Sequence, residues 1–573
     1  MATDYTLFFG EGAKGVVVEN FSDEDEKALG STVTNLEDNI FAWKLTDDFT
    51  PEQAGALLSR YSRTSLTSRR LFIKEFYPNK SRGREFFDAW LVDYGDDSIQ
   101  EMAGGLPVSC EYVSNVAVKD IEDCRFGSYI EKSTRYVAFD KKLPNGDYMF
   151  YKDPQILASR HAESYLDLMG SLFDSYSRHM EGMVKYIADT NRIEDIGFRI
   201  GNRLVRINEM NSAIEEQFGI TEADLQKSYE NAIKANALDF LRDFLPMSTL
   251  THVGISMDAR SYENMINKML ASQLLESRFI AKRLCAELKK LVPSLVKRVE
   301  DSHGIEMQEF FRERNESAAT MVSGISKGIV SKGEGIELRE YAGEGTANPD
   351  VRAQTIIATM IIYKFSRGTS ISQAAELAAK MGDSERKSLI NTYVGSRKNR
   401  RHKPGRAFEN LDYTFDLNGR IGIYRDIQRH RIGTQERQNF GVELGYDTRS
   451  AFKEVGIEDD YKQKMSEVTK LYNKIFEKMP HQAQYVVTLG FNIRWYYKLN
   501  ARQLYHLCEL RSTHQGHPDY RKLVQQMAMK VKAVHPSVME PMIYLDMSEK
   551  TLGRLDSEIR MAVKKSQLNN TKN

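Results

Sequence analysis

The chain contains the same series of short sequence blocks twice, in the same order. Residues 57–65 resemble residues 360–370, and residues 241–270 resemble residues 483–512. Each of the longer blocks contains an Asx-Ala-Arg triplet, Asp258-Ala259-Arg260 in one and Asn500-Ala501-Arg502 in the other. Because a long internal repeat indicates that one structural unit is built twice, we predict two tandem copies of a single fold.

The spacing of the shared blocks sets the predicted domain boundaries. The first copy is assigned to residues 1–300, with an insertion at about residues 141–235 whose sequence favours helices. Residues 301–335 contain a run rich in Gly, Ser and Lys and are predicted to connect the copies. The second copy is assigned to residues 336–573 and ends in a polar tail. A chain of 573 residues is too long for one ordinary core, which agrees with this division.

Residue types and their spacing favour a mixed α+β fold with long helices. Apolar residues between positions 258 and 292 recur at helical spacing. The segments "NIFAWKL" (39–45) and "LDYTFDL" (411–417) have the composition of strands.

Charge and cysteine content argue against several classes of protein. The 80 Lys and Arg residues balance 80 Asp and Glu residues, so no global field attracts nucleic acid or an anionic membrane. The four cysteines form no CxxC pair, which argues against a disulfide framework and a metal site. The N-terminus lacks the pattern of a signal peptide, and the most apolar stretch (355–363) is far shorter than a membrane span. We therefore predict a cytoplasmic protein.

The stretch "RHRIGTQERQNF" (429–440) places two arginines and a histidine in direct succession. Neighbouring cations repel one another, so such a cluster indicates a bound anion. Phosphate fits well, because Arg and His both donate hydrogen bonds to it. A solvated basic helix end is the alternative for an isolated triplet of this kind.

Alignment of the copies shows that each keeps one half of a longer pattern. The second copy has the basic start but not the later residues, with Arg429, His430, Arg431, Thr434, Asn439, Gly441 and Val442 at the aligned positions. The first copy has the opposite half, with Asp123, Cys124, Arg125, Ser128, Ser133, Arg135 and Tyr136. Combined, the halves resemble RHRxxSxxxxSxRY, the signature of flavin-dependent thymidylate synthases. The resemblance covers both copies and implies two tandem copies of that fold, in which long helices surround a small sheet.

The same division continues downstream, at positions that bind ligands in the family. The first copy has Arg242 before a Leu-Pro pair, where the second copy has Gln484. The second copy has Arg511 eleven residues after Asn500, where the first copy has Met269. Eleven residues are about three helical turns, so Asn500 and Arg511 are predicted to share a helix face.

In this family each active site lies across a subunit interface, so the resemblance implies one complete composite site. The first copy would supply Glu131, Ser133, Thr134, Arg135 and Arg242, and the second copy would supply Arg429, His430, Arg431, Asn500, Arg502, His506 and Arg511. The reciprocal site is expected to be inactive, because it combines Asp123, Cys124 and Met269 with Asn439, Gly441 and Gln484. Decay of both copies is the alternative.

The resemblance also implies the reaction. FAD, reduced by NADPH, would support transfer of a methylene group from 5,10-methylenetetrahydrofolate to C5 of dUMP and its reduction to methyl, which gives dTMP. The implied catalytic residues are Ser133, Arg135 and Arg511. The implied nucleotide-binding residues are Glu131, Ser133, Thr134, Arg135, Arg242, Arg429 and Arg511, and the implied FAD-binding residues are Glu131, Arg429, His430, Arg431, Asn500, Arg502 and His506. A homodimer that imitates the family's tetramer is expected.

Two other functions stay open at this point. A related enzyme could add hydroxymethyl to a pyrimidine nucleotide, and an inactive relative could bind nucleotides or serve as a scaffold.

Two further motifs have simpler interpretations. "GEGAKG" (10–15) satisfies GxGxxG but is followed by "VVVEN", so we predict a glycine-rich hairpin turn. "SRKNRRHKP" (396–404) is predicted to be a solvated loop or a funnel for anionic ligands.

Overall fold

A computed structural model of the chain describes residues 5–6, 16–17, 19–79, 81–83, 98–143, 146–326, 335–549 and 552–570. Helices and small antiparallel sheets alternate along these ranges, so the predicted α+β class is confirmed. No helix in the described ranges combines the length and apolar composition needed to cross a membrane.

In the part of the chain that the structure describes, the strands fall into two four-stranded and two two-stranded sheets. In chain order they are β1 Tyr5–Thr6, β2 Val16–Val17, β3 Ile40–Ala42, β4 Leu106–Ser114, β5 Ser128–Glu131, β6 Phe198–Ile200, β7 Arg203–Val205, β8 Leu250–Met257, β9 Ile336–Tyr341, β10 Asp412–Arg420, β11 Thr434–Arg437 and β12 Asn492–Asn500.

The described α-helices range in length from 4 residues to 24 residues. In chain order they are α1 Asp23–Gly30, α2 Pro51–Tyr61, α3 Ser68–Leu71, α4 Ser98–Glu101, α5 Asn115–Ile121, α6 Pro154–Leu157, α7 Ala162–Arg178, α8 Met180–Thr190, α9 Ser212–Phe218, α10 Glu222–Leu241, α11 Ala259–Leu270, α12 Leu275–Leu291, α13 Ser302–Ile325, α14 Pro349–Phe365, α15 Ile371–Lys380, α16 Asp383–Val394, α17 Ile421–Ile427, α18 Ser450–Val455, α19 Glu458–Phe476, α20 Ala501–Arg511, α21 Pro518–Val534, α22 Pro536–Met539 and α23 Leu555–Asn570.

The two larger sheets have the same strand order. The first is β3–β4–β8–β5 and the second is β9–β10–β12–β11, all antiparallel. Each sheet is followed by equivalent helices, since α5, α11 and α12 occupy the same chain positions in the first copy as α17, α20 and α21 in the second. This correspondence confirms the two-copy architecture predicted from the repeat.

The first sheet forms its core with helices α5, α11 and α12. Val108 of β4, Val253 of β8, Ile121 of α5 and Ile266 of α11 belong to one buried apolar cluster. Removal of such side chains from water is the main favourable contribution to folding, at about 25 cal/mol for each Å² of apolar surface.

The helical segment predicted between residues 258 and 292 is divided into two helices by a short turn. The Ser272 hydroxyl accepts a hydrogen bond from the Leu274 amide at 3.2 Å. The Ser272 carbonyl accepts another from the Arg278 guanidinium at 2.6 Å. These contacts hold the turn between α11 and α12, while the apolar residues of both helices still face the same cluster.

The inserted and connecting segments contain regular structure. The insertion in the first copy contains helices α6 to α9, most of α10 and the β6–β7 hairpin, which agrees with its predicted helical sequence. The predicted connector begins with helix α13, and its residues 327–334 lie outside the described ranges. The glycine-rich turn predicted at residues 10–15 also lies outside them, although the flanking strands β1 and β2 pair in antiparallel fashion.

The described residues group into two compact units that exchange segments between the copies. Unit 1 comprises Met1–Ile187, Lys234–Ser331 and Asn439–Phe491, so it includes a segment of the second copy. Unit 2 comprises Ala188–Ile233, Lys332–Gln438 and Asn492–Asn573, so it includes a segment of the first copy. The sequence boundaries of the two copies stay a prediction.

Candidate functional site

The basic triplet lies in the tight turn between helix α17 and strand β11 of unit 2. Two side chains hold the backbone of this turn, because the Tyr497 hydroxyl and the Gln435 amide both donate to the His430 carbonyl, at 3.0 and 2.9 Å. Gly433 ends the turn, and a Cβ there would lie 2.2 Å from the Tyr497 ring and 2.8 Å from the Lys498 carbonyl oxygen. Glycine is therefore required at this position.

The His430 side chain is 5% exposed and contacts helix α20. Arg511 Nε donates a hydrogen bond to His430 Nε2 at 2.7 Å. A guanidinium has no acceptor atom, so His430 accepts at Nε2 and holds its proton on Nδ1 as a neutral imidazole. Burial, then the charges of Arg511 and Arg431, hold the pKa of His430 well below its usual value.

A second histidine of helix α20 continues this cluster. The rings of His430 and His506 are in edge-to-face contact, with centroids 5.4 Å apart. Lys403 Nζ lies 2.7 Å from His506 Nδ1. Burial, followed by the charges of Lys403 and Arg400, lowers the pKa of His506 to about 4. Both imidazoles are therefore neutral at physiological pH, although cations surround them.

Lys403 was not among the residues predicted to form the site. It belongs to the basic segment 396–404, for which the sequence analysis proposed a solvated loop or a funnel for anionic ligands. The high density of positive charge in this segment could have indicated a role in anion binding. The position of Lys403 beside His506, however, depends on the tertiary fold.

The remaining predicted residues of the second copy surround this cluster. Arg502 Nε donates to the Pro404 carbonyl at 2.8 Å, and its Nη1 lies 3.5 Å from Glu409. Asn500 is the N-cap of helix α20, where its side chain accepts a hydrogen bond from the Gln503 amide at 2.8 Å. Arg429 and Arg431 are partly buried on either side of His430.

This arrangement suits the binding of a multiply charged anion. Arg429, Arg431, Arg502, Arg511 and Lys403 bring five positive charges to one turn, one helix and one loop of unit 2. The two neutral histidines supply hydrogen bonds without adding to the repulsion. A phosphorylated ligand would offset the repulsion between the cations.

The residues predicted from the first copy lie in unit 1, and three of them, Ser133, Thr134 and Arg135, follow strand β5. Arg135 forms a two-pronged ion pair with Asp239 of helix α10, with Nε–Oδ1 2.7 Å and Nη2–Oδ2 2.9 Å. The Ser133 amide donates to the Ser62 carbonyl at 3.0 Å, and the Ser133 hydroxyl accepts from the Arg135 amide at 3.2 Å. These contacts fix both the backbone and the guanidinium of the segment.

The other three residues of this set are deeply buried. Glu131 is 2% exposed and lies 3.5 Å from Lys119 Nζ. Thr134 and Arg242 are each 3% exposed, and Arg242 begins the 3₁₀ turn that directly follows helix α10.

The positions expected to be inactive in the first copy are apolar or exposed. Cys124 and Met269 belong to the buried apolar cluster of the first sheet, at the positions that correspond to His430 and Arg511. Asp123 is exposed and pairs with Lys268 at 3.5 Å. An apolar core has therefore replaced the imidazole–guanidinium contact seen in the second copy.

The positions of the second copy that are expected to be inactive lie in the segment that belongs to unit 1. Gln484 is buried; its side chain donates to the His481 carbonyl at 3.0 Å and accepts from the Phe440 amide at 3.1 Å. Asn439 is exposed and Gly441 is buried. The site residues predicted from the first copy lie in unit 1, and the main cluster of the second copy lies in unit 2.

Comparison with known proteins identifies similar sequences over almost the whole chain. Residues 44–294 and 348–537 match the sequence profile of a family described as "Thymidylate synthase complementing protein". The UPF0159 protein of Chlamydia muridarum is 32% identical over 563 residues, which is 94% of this chain and 98% of that protein. The UPF0159 protein of Thermoplasma acidophilum is 33% identical over 515 residues, which is 89% of this chain and 98% of that protein.

Many solved structures also match this chain, and one of them is the structure of a methylase. It is the crystal structure of a UMP/dUMP methylase, PolB from Streptomyces cacaoi, bound with 5-Br dUMP. The sequence identity is 17% and the TM-score is 0.28, with 36% of this chain and 92% of that chain covered.

Proposed function

Because this chain belongs to the thymidylate synthase complementing protein family, we propose that it methylates a pyrimidine nucleotide and converts dUMP to dTMP. The proposed cofactor is FAD, with NADPH as reductant and 5,10-methylenetetrahydrofolate as carbon donor. The complementary distribution of charged residues over the two copies carries this proposal. His430 and Arg511 are in contact in the second copy, whereas the first copy has Cys124 and Met269 in an apolar core.

The cluster in unit 2 has the donors that a flavin with a diphosphate requires. Arg429, Arg431 and Arg502 would bind the phosphates, and neutral His430 and His506 would each donate one hydrogen bond. Asn500 and Glu131 complete the proposed cofactor contacts. When bound and reduced, the flavin supplies the electrons that convert the transferred carbon to a methyl group.

The segment after strand β5 would bind the nucleotide. Arg135 and Arg242, with the hydroxyls of Ser133 and Thr134, suit a phosphate group because charge-assisted hydrogen bonds from Arg are strong. Asp239 fixes the direction of the Arg135 guanidinium before the ligand arrives. This arrangement lowers the entropy cost of binding.

Arg511 is proposed to act on the pyrimidine ring. C5 becomes nucleophilic when the pyrimidine ring is electron-rich, and the ring carbonyl oxygens then share the negative charge. A guanidinium that donates hydrogen bonds to a carbonyl stabilises this electron-rich form. His430 leaves the charge of Arg511 intact, because a neutral imidazole accepts its hydrogen bond.

The cysteines do not suit the role of nucleophile. All four are buried. Burial raises the pKa of Cys508 far above its usual range, and its thiol contacts the Val524 carbonyl at 3.5 Å. A buried thiol of this kind stays protonated and unreactive, so the proposed reaction uses no thiolate.

The first test is a visible absorption spectrum of the purified protein with FAD, followed by addition of dUMP. We expect a bound flavin band that shifts when dUMP binds near it. Incubation with NADPH and 5,10-methylenetetrahydrofolate should then yield a product heavier than dUMP by one CH₂ group.

Two other results would replace the proposal. A product with the mass of a hydroxymethyl derivative would identify the related hydroxymethyltransferase activity. Failure of the folded protein to bind flavin would favour a nucleotide-binding or scaffold role.

A further inference from the structure

The loop of residues 397–404 runs along one face of helix α20, and the family resemblance assigned no residue of this loop to a particular ligand. Three helix residues spaced four and three positions apart hold it. Arg502 donates to the Pro404 carbonyl, His506 contacts Lys403, and Glu509 accepts from Arg397 Nη1 at 2.7 Å. Residues at this spacing lie on one helix face, so the loop has a defined position beside the cluster of His430 and Arg511.

Two contacts along this loop differ in whether the charges of the loop residues are offset. Arg397 and Glu509 form a buried ion pair, with side chains 2% and 1% exposed, so these two charges offset each other. The contact between Lys403 and His506 is different, because the imidazole nitrogen that faces an ammonium must be an acceptor and therefore belongs to a neutral ring. This contact orients Lys403 without offsetting its charge.

We propose that Lys403 is a further phosphate-binding residue of the cofactor site, oriented by His506 of helix α20. The inference rests on the proposed function, since it assigns Lys403 to the same ligand as Arg431 and Arg502. The ligand group is the diphosphate of the flavin nucleotide. Loop 397–404 would then form one wall of the site.

The test compares two flavins that differ in phosphate content. Lys403→Gln should weaken FAD binding roughly tenfold or more, since a hydrogen bond to a charged group contributes about 1.5–3 kcal/mol. Riboflavin has no phosphate, so its affinity should change little. Fluorescence titration gives both dissociation constants. Lys398→Gln is the matched control, because it removes the same charge from an exposed position of the same loop.

A second readout follows from the neighbouring histidine. His506 faces Lys403 and Arg400 from the loop, Arg502 and Arg511 from its own helix, and His430 from the turn. Loss of the Lys403 charge should raise the pKa of His506 from about 4. FAD binding by Lys403→Gln should therefore become stronger as the pH falls from 7 to 5, relative to the unaltered chain.

Several outcomes would overturn the inference. Equal FAD affinity in Lys403→Gln and the unaltered chain would overturn it. Equal losses of FAD and riboflavin affinity would also overturn it, because they would indicate a structural role for Lys403. Lys403→Arg keeps the charge and should restore FAD binding if the loop folds normally.

If the unaltered chain binds no flavin, the proposed function fails first. Calorimetry with inorganic pyrophosphate then tests Lys403 separately, and equal binding by both chains would overturn the inference.

Discussion

Asp239 binds the Arg135 guanidinium with both carboxylate oxygens, and the two side chains are only 8% and 13% exposed. Loss of one partner leaves a poorly solvated charge without compensation. We expect Asp239→Asn to lower the free energy of unfolding by about 3 kcal/mol and to weaken dUMP binding. Urea denaturation and nucleotide titration would measure the two effects.

The ion pair between Lys268 and Asp123 provides the control, because both side chains are exposed. Asp123→Asn should cost less than about 1 kcal/mol. Equal destabilisation by the two substitutions would contradict a special role for the Arg135–Asp239 pair.

At the residue scale, the sequence locates the side chains that belong to a motif. It does not locate the residues that contact these side chains in the folded protein. Asp239 lies 104 positions from Arg135, and Lys403 lies 103 positions from His506. Neither partner belongs to a repeated block, and the fold alone brings each pair together.

Among the secondary structure elements, helix α12 begins with a buried acid. Glu276 accepts hydrogen bonds from the Ser114 amide at the end of strand β4 and from the Tyr485 hydroxyl, at 2.7 and 2.9 Å. Burial raises the pKa of Glu276 from an ordinary 4.5 to about 7. The folded state therefore favours the protonated carboxyl.

The sign of the pH dependence follows from this raised pKa. The stabilising contribution of protonated Glu276 is present below pH 4.5 and is lost as the pH rises through about 7. Between pH 5 and pH 8, the unaltered chain should lose roughly 2 kcal/mol of its free energy of unfolding through ionisation of Glu276. Glu276→Gln should abolish this loss. Chemical denaturation at both pH values would measure it. The same pH dependence in the variant and the unaltered chain would refute the assignment, and Glu337→Gln at an exposed site is the control.

The repeated architecture could be predicted from the sequence, but the grouping of its elements into units could not. The repeat predicted two equivalent sheets because aligned blocks form equivalent strands, such as β4 with β10 and β8 with β12. The turn between α11 and α12 was missed because helical spacing continues through it. The exchange of segments depends on contacts such as Arg449 with Asp243 at 2.6 Å, between residues 206 positions apart. Local patterns contain no information about such pairs.

At the scale of the whole molecule, the proposed composite site makes a prediction about assembly. Arg135→Ala and Arg429→Ala should each abolish turnover, because each removes a phosphate-binding group from a different half of the same site. If the chain forms the expected homodimer with sites between chains, mixing the two variants should restore part of the activity. Steady-state assays after subunit exchange would measure the recovery.

Each outcome of this mixing experiment has a distinct meaning. No recovery, in a mixture shown by mass to contain heterodimers, would place both halves of the site in one chain. Full activity of either single variant would disprove the composite site itself. Arg339→Ala, at an exposed ion pair outside the site, should leave turnover unchanged.

The exchange of segments also has a consequence for synthesis on the ribosome. Unit 1 includes Asn439–Phe491, so its core cannot be completed until the polypeptide has been made well beyond its first 300 residues. At translation rates of about 5–20 residues per second, the nascent first copy must wait roughly 10 to 40 seconds for the residues that contact Asp243 and Glu276. Translation speed and chaperone protection during that interval should therefore affect the yield of folded protein.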